Sequence, residues 1–520
     1  MGRSSRAAKG FLTSIFQYSS QILIQILLAP IVLKVAGRET LGAYAAIMQT
    51  LGFLALVDIA HSWSLERFLA QAIGTEDGGA RFRHVFTTAR SMLLVTNVIF
   101  AALVFVFSMF IRRLFHLSPA IALEARHALY VIAVWSIVRT PLAAYFNALV
   151  ATQDLAVANL IATLQTTARG VVSLLFVLGG GGLFGLMLAG VTVEGGAALL
   201  YRVRFRRLNP NLMPGWGIPD KPLFREMLAF GGHAMFLNIG NMLMFTSGNT
   251  IAGMTAGAAN ASSFYTSQMP TSTAYNMVLR LSDSATPAIN ELYGRNDLDR
   301  MKHALMRLTR FLLLMSLPLG LGVFLYNHDL VVAWVGERQY VGELLTVSLA
   351  IFCVTISIQR VAIVYSFVFG WMRLLTVTAL FQGLVNFGLA FYLEREFGLG
   401  GITLALVIVQ VPQSVLLWRR ISKTLDLNVI ALLGGCFLRQ SLPLAAAAAS
   451  SLTVHHFVHI AHKHLAGFLA EVFTFAFVYF PLAYLTLLRE DRNDIDHHLR
   501  GAANRGRTLH HSVRKFFRAE

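Results

Sequence analysis

Five arginines of this chain sit where a charge is costly. Arg139, Arg169, Arg280, Arg360 and Arg439 each lie several residues inside a long apolar segment. An arginine at the centre of a membrane helix costs ~2.5–3.5 kcal/mol, so such residues line a cavity or find a partner. Acids in comparable places are fewer: Glu194 and Asp283, with Asp58 and His61 near the end of another segment. Five cations against two interior acids predict a passage of positive potential. Guanidinium groups bind phosphate oxygens in bidentate fashion and keep their charge at any physiological pH. The expected chemistry is recognition of a phosphorylated group in a low-dielectric space.

Bland readings stand beside this one. Arg280 and Asp283 are three residues apart on one helix, so a local ion pair accounts for them equally well. Arg439 lies about nine residues into its segment, within reach of the headgroups by snorkelling. Asp58 either caps or pairs with Arg67, or serves ion coupling, a role open also to Glu194 and Asp283. Gln21, Gln25, Asn238, Asn241 and Asn249 suit sugar hydroxyls, but such residues also tie helices together. The run His455-His456, His459, His462 and His464 has metal-ligand spacing in what reads as an exposed loop, so no metal is expected. There is no phosphate-binding glycine loop with a lysine, no nucleophile triad and no carboxylate cluster. The chain reads as a non-enzyme without cofactors.

The elements that must position these residues are membrane helices. About fourteen apolar segments run along the chain, and ~20 such residues suffice to cross a bilayer as a helix. Composition agrees, at 56% hydrophobic and 13% charged with a mean hydropathy of +0.61; soluble domains carry about 25% charged residues. The fold class expected is all-α and polytopic, with two pseudo-symmetric six-helix bundles plus two C-terminal helices. Spans are predicted at Phe11–Val35, Leu41–Ala60, Met92–Ile111, Leu129–Val150, Leu155–Leu178 and Leu183–Leu200. The rest fall at Phe230–Met254, Ser263–Pro287, Phe311–Val332, Leu344–Phe369, Leu374–Leu393, Ile402–Leu417, Ile430–Val454 and Leu465–Leu488. Met1–Gly10 is basic, but the apolar stretch after it is too long for a signal peptide and reads as a retained span.

Lysine and arginine set the expected topology, since loops rich in them stay cytoplasmic. Twenty-nine of the 43 fall on the side of the termini and eight on the other, with Arg112-Arg113 the discordant pair. Both ends are therefore expected in the cytoplasm. The net charge of +17 needs no nucleic acid; it is loop bias plus a basic tail facing anionic lipid. In the tail, Phe516 and Phe517 could dip into the interface. Cys353 and Cys436 both fall inside spans and read as apolar fillers.

A self-similarity appears at an offset of 220 residues. It matches Gly37 with Gly257, Tyr44 with Phe264, Gly74 with Gly294, Asp77 with Asp297, Arg90 with Arg310 and Tyr145 with Tyr365. Arg139 and Arg360 match at 221. Six spans separate the copies, so both have one orientation, the parallel-repeat plan of some transporters. The division expected is 1–208 for the first bundle, 209–224 for the linker and 225–425 for the second bundle. Two additional helices over 426–490 and a basic tail over 491–520 complete it.

The segment Ala29–Gly74, APIVLKVAGRETLGAYAAIMQTLGFLALVDIAHSWSLERFLAQAIG, resembles the start of polysaccharide flippases of the multidrug/oligosaccharidyl-lipid/polysaccharide exporter superfamily. The matching residues are Gly37, Leu41-Gly42-Ala43-Tyr44, Asp58 and Arg67, with departures at Ala60 and His61. The second half resembles the family in Tyr265, Ser282–Pro287 and Gly294-Arg295-Asn296-Asp297. The resemblance implies a pair of six-helix bundles, alternating access and a lipid-linked oligosaccharide as cargo. It implies undecaprenyl pyrophosphate as the carrier, a bacterial inner membrane, and a polysaccharide polymerase and chain-length regulator as partners. Substrate binding would fall to Arg139, Arg360, Arg169 and Arg280. A cation-coupled drug exporter shares the two-bundle plan but stops at twelve spans, and an arginine-lined interior suits cationic drugs poorly. A membrane glycan polymerase or ligase would need a substantial outer loop, and the loops here are short.

Overall fold

The computed structural model describes residues 23, 24, 26–73, 77, 79–215, 217, 219–460, 464–488 and 492. Gln21, Gln25, His462 and the tail with Phe516 and Phe517 lie outside the described residues, as do the side chains of Asp58, His61, His459 and His464. Every regular element described is helical. In chain order they are α1 (Ile26–Val35), then α2 (Gly37–Leu54), α3 (Leu56–Ile73), α4 (Ala80–Leu114), α5 (Pro119–Val138) and α6 (Tyr145–Ala151). Next come α7 (Leu155–Leu178), α8 (Gly182–Leu208), α9 (Lys221–Phe245), α10 (Gly248–Ala256), α11 (Ala258–Gly294) and α12 (Leu298–Val335). The chain continues with α13 (Glu343–Val368), α14 (Met372–Phe397), α15 (Gly400–Leu425), α16 (Val429–Ile460) and α17 (His464–Thr486).

Among the described residues, ten helices are long and apolar enough to cross a membrane, namely α4, α5, α7, α8 and α12 to α17. The all-helical, multi-pass class read from hydropathy is what is found. Ten falls short of the fourteen expected; the first expected span, Phe11–Val35, lies mostly outside the described residues, and other differences have local causes. The second expected span is interrupted between Leu54 and Leu56, and the seventh between Phe245 and Gly248. The fourth begins ten residues early, at Pro119, and breaks in its middle.

By internal packing the chain divides into two units. The first takes Met1–Thr273, Val331–Leu349 and Trp371–Gln413; the second takes Ala274–Leu330, Ala350–Gly370 and Ser414–Glu520. In the first, aromatic rings knit one end: Phe86, Tyr145 and Phe205 stack within 6.2 Å of one another over Leu65, Leu69 and Met227. A second cluster holds Ile47, Val104, Phe115, Leu129 and Leu183. The second unit buries Leu314, Tyr326, Phe475 and Tyr479 together. Both cysteines are buried thiols, as expected of fillers.

Within the first unit, loops that charge bias places on one side touch one another. Arg38 donates to Ser263 Oγ at 2.8 Å, Ser118 N donates to the Glu39 carboxylate at 2.6 Å, and Ser263 Oγ donates to the Arg338 carbonyl at 3.3 Å. Loops of the opposite set meet each other: Arg83 reaches the Asn211 carbonyl at 2.6 Å, and Arg204 holds Asp154 at 2.8 Å. There Asp220 caps α9 and sits 2.9 Å from His84 Nε2. That hydrogen bond, with the capped Leu223 amide, holds the Asp220 carboxyl below the usual carboxylate range.

Several matched positions of the repeat occupy like local structures. Gly37 and Gly257 both adopt positive φ, +85° and +82°, at the start of a helix, a conformation that costs little only without a Cβ. Asp77 accepts the Arg81 amide and Asp297 the Arg300 amide, each capping the helix that follows. Tyr145 and Tyr365 are both fully buried.

Tyr479 offers a direct test of packing in the second unit. Its hydroxyl donates to the Leu314 carbonyl at 2.8 Å and lies 3.0 Å from Gln440 Oε1, with the ring fully buried. Tyr479→Phe should therefore destabilise the detergent-solubilised protein by roughly 0.6–1.7 kcal/mol, the range found for hydrogen bonds between membrane helices. A thermal melt of the variant checks this.

Candidate functional site

The break in the fourth expected span gathers several buried polar side chains of the first unit. Proline removes an amide donor and disfavours helical backbone at the residue before it. At Arg139-Thr140-Pro141 the helix α5 stops, three residues form a 3₁₀ turn, and Ala144 takes φ +73° before α6 begins. Non-helical backbone at membrane depth is tolerated only where protein covers it or where it lines a water-filled cavity. Here protein supplies part of the cover. Asn97 Nδ2 on α4 donates to Thr140 Oγ1 at 3.1 Å, and Ser136 Oγ donates to the Ala133 carbonyl at 2.7 Å. All three polar side chains are buried.

Arg139 turns from this break toward α8. Its Nη1 donates to the Glu194 carboxylate, whose other oxygen accepts from Trp135 Nε1 at 3.4 Å. The pair is partly accessible, with side-chain exposures of 27% for Arg139 and 35% for Glu194. One turn earlier on α8, Gly190 lies beside Arg169 of α7: a Cβ there would be in ordinary contact, 3.5 Å from the guanidinium carbon. Residues four apart share a helix face. One face of α8 thus receives two guanidiniums, Arg139 from the end of α5 at Glu194 and Arg169 from α7 at Gly190.

The second unit repeats the theme at the matched position. Arg360 on α13 donates to the Asp283 carboxylate of α11 and, through Nε at 3.3 Å, to Ser282 Oγ. Exposures are 33% for Arg360 and 49% for Asp283. The carboxylate that spacing could equally assign to Arg280 is thus held by an arginine from another helix. Arg280 itself is exposed. Arg439, read as snorkelling, is exposed and lines a cavity of about 170 Å³ with Arg310, Gln440 and Thr486.

The surplus of positive charge expected from the sequence is therefore partly offset: Glu194 and Asp283 each already hold a guanidinium. A coupling ion at either carboxylate would share it with that arginine. Asn97, Trp135, Ser136 and Thr140 were not legible as site residues. Pro141, three residues before the break ends, was the available signal.

The histidine run is also placed differently. α16 extends to Ile460, so His455 and His456 lie on a helix rather than in an exposed loop. His455 Nδ1 sits 3.0 Å from the buried carboxylate of Glu471.

Against this geometry stand the comparisons with known proteins. A family model described as "Polysaccharide biosynthesis protein" matches residues 36–341. The chain belongs to this family. Solved structures similar to this polysaccharide biosynthesis protein include the lipid II flippase MurJ in an inward closed conformation. That likeness has TM-score 0.67 and 13% identity, covering 91% of this chain and 98% of that one. An inward-facing multidrug resistance MATE transporter of the MOP superfamily gives 0.63 and 16%, covering 78% and 95%. A MOP superfamily transporter from Pyrococcus furiosus gives 0.52 and 13%, covering 82% and 95%. At such identities the likeness is one of fold, and the fold is that of flippases and exporters. No curated protein matches the chain.

Proposed function

We propose that this protein carries a lipid-linked oligosaccharide, on an undecaprenyl-pyrophosphate carrier, across the bacterial inner membrane for surface polysaccharide synthesis. The observation that carries the reading is the α8 face of the first unit, where Arg139 pairs with Glu194 beside a broken helix and Arg169 lies one turn away at Gly190. Two guanidiniums and one carboxylate on this face leave a unit of positive charge for a phosphate. In the resting arrangement Glu194 occupies the place a phosphate oxygen would take, and Asp283 does the same for Arg360 in the second unit. Cargo entry exchanges carboxylate for phosphate, which keeps each arginine paired throughout. Broken helices at mid-membrane are a recurring device of transporter binding sites.

The cycle in this reading is alternating access without a covalent step. Both termini face the cytoplasm, where the basic tail meets anionic lipid, and a polymerase and chain-length regulator take the delivered cargo. A cation-coupled multidrug exporter is the second reading, favoured by the carboxylates Glu194 and Asp283; the family match favours a glycan. Proteoliposomes decide between them. Purified protein should expose a fluorescent undecaprenyl-pyrophosphate oligosaccharide to an external glycosidase at least about tenfold faster than protein-free vesicles, a factor equal to about 1.4 kcal/mol. Transport of a cationic dye without glycan movement would sink the flippase reading.

A further inference from the structure

We infer that the second unit contains a binding site for a divalent transition-metal ion of the zinc class, built from Asp329, His455 and Glu471. These residues come from three helices, α12, α16 and α17. One ligand atom from each lies within 4.8 Å of the others. The His455 Nδ1 to Glu471 Oε1 separation is 3.0 Å. Two ligands held at about 2.0–2.2 Å from one ion stand roughly 3–3.5 Å apart, so this pair is already at coordination spacing. Asp329 would complete the set with its carboxylate, one oxygen of which stays with His328.

Burial makes the case for an ion. Glu471 is 4% exposed on a helix apolar enough to span a membrane, where an ionised carboxylate persists only with a compensating charge. A divalent ion offsets the charges of Glu471 and Asp329 together, and imidazole is a common ligand of such ions.

The surroundings fit a held site. His328 Nδ1 lies 2.8 Å from Asp329 Oδ1, the outer-shell contact that orients a ligating carboxylate. One turn away on the same two helices, the Tyr326 hydroxyl bonds Ser451 Oγ. The Tyr326 ring packs edge-on to Phe468 at 6.4 Å and Phe475 at 6.0 Å, walling one side with aromatic surface. Three protein ligands of mixed nitrogen and oxygen type, with a position left open, suit zinc-class ions better than magnesium or calcium, which take oxygen sets. The ion would fasten the α16–α17 hairpin to α12. This inference stands apart from the cargo reading.

Full-length protein in detergent, stripped by a chelator and titrated with zinc alone, should bind one tight ion per chain and melt at a higher temperature. Glu471→Gln and His455→Asn should each weaken zinc by more than the 10–100-fold typical of outer-shell changes. His455→Asn covers the case in which the buried glutamine fails to fold. Changing His456, His459, His462 and His464 together to asparagine should leave the tight site in place. Equal zinc uptake by wild type and both single variants overturns the proposal. So does uptake lost only with the four neighbouring histidines, no tight uptake at all, or displacement of zinc by magnesium.

Discussion

Replacing Arg139 with alanine should abolish surface glycan while the protein still accumulates in the membrane, and Arg360→Ala should do the same. A charge-assisted hydrogen bond is worth about 1.5–3 kcal/mol, so losing one to the cargo slows transfer roughly 10–150-fold. The folded protein loses much less. Each arginine pairs with a carboxylate at 27–49% side-chain exposure, and accessible ion pairs contribute about 0–1 kcal/mol. Level and function should therefore separate. The partner variants sharpen the test: Glu194→Gln and Asp283→Asn remove only what competes with phosphate, so glycan display should persist. Arg139→Lys should fall between, since an ammonium keeps the charge but not the planar fork. An ion pair that merely braces helices would give equal losses from either partner. Glycan staining normalised to immunoblotted protein reads the difference, and normal display in both alanine variants removes these arginines from the site.

Much of this architecture is legible because the bilayer constrains it so tightly. A run of apolar residues long enough to cross must be helical, and α7, α8, α13 and α14 fall close to where hydropathy puts them. Loops that lysine and arginine bias assigns to one side touch in the first unit, as Arg38 meets Ser263 and Arg83 meets Asn211. Breaks were harder to see. At Arg139 to Ala144 hydropathy dips for only three residues, too few to end a span, so Pro141 is what marks the turn. Thr246 and Ser247, which part α9 from α10, give weaker signals still. Least legible were pairings between distant helices. Nothing in spacing joins Glu194 to Arg139, or Asp329, His455 and Glu471 to one another. Such contacts follow from how helices pack, and i, i+3 reasoning sees only one helix at a time, as with Arg280 and Asp283.

The largest stability effect should come from glycines where helix backbones touch. A Cβ on Gly240 of α9 would enter the backbone at Ala379 of α14, and one on Gly383 would enter Gly240 in return. A Cβ on Gly42 of α2 would overlap the Ala258 carbonyl at the start of α11. Helices in lipid gain little from hydrophobic burial, so small residues that permit close approach carry much of the association. Neither side can yield, because the obstacle is backbone. Overpacking costs typically about 1–3 kcal/mol even where side chains can adjust, and native proteins hold only about 5–15 kcal/mol in reserve. Gly42→Val and Gly240→Val should therefore fail to accumulate, and Gly240→Ala should lower the melting temperature in detergent. Gly434 and Gly435 on α16 provide the contrast, since a Cβ at either meets nothing within 4 Å. Gly434→Ala should instead add roughly 0.5–1 kcal/mol, the usual gain at a helix interior. Membrane levels that follow helix propensity alone, with all three positions alike, would show that these crossings do not hold the helices together.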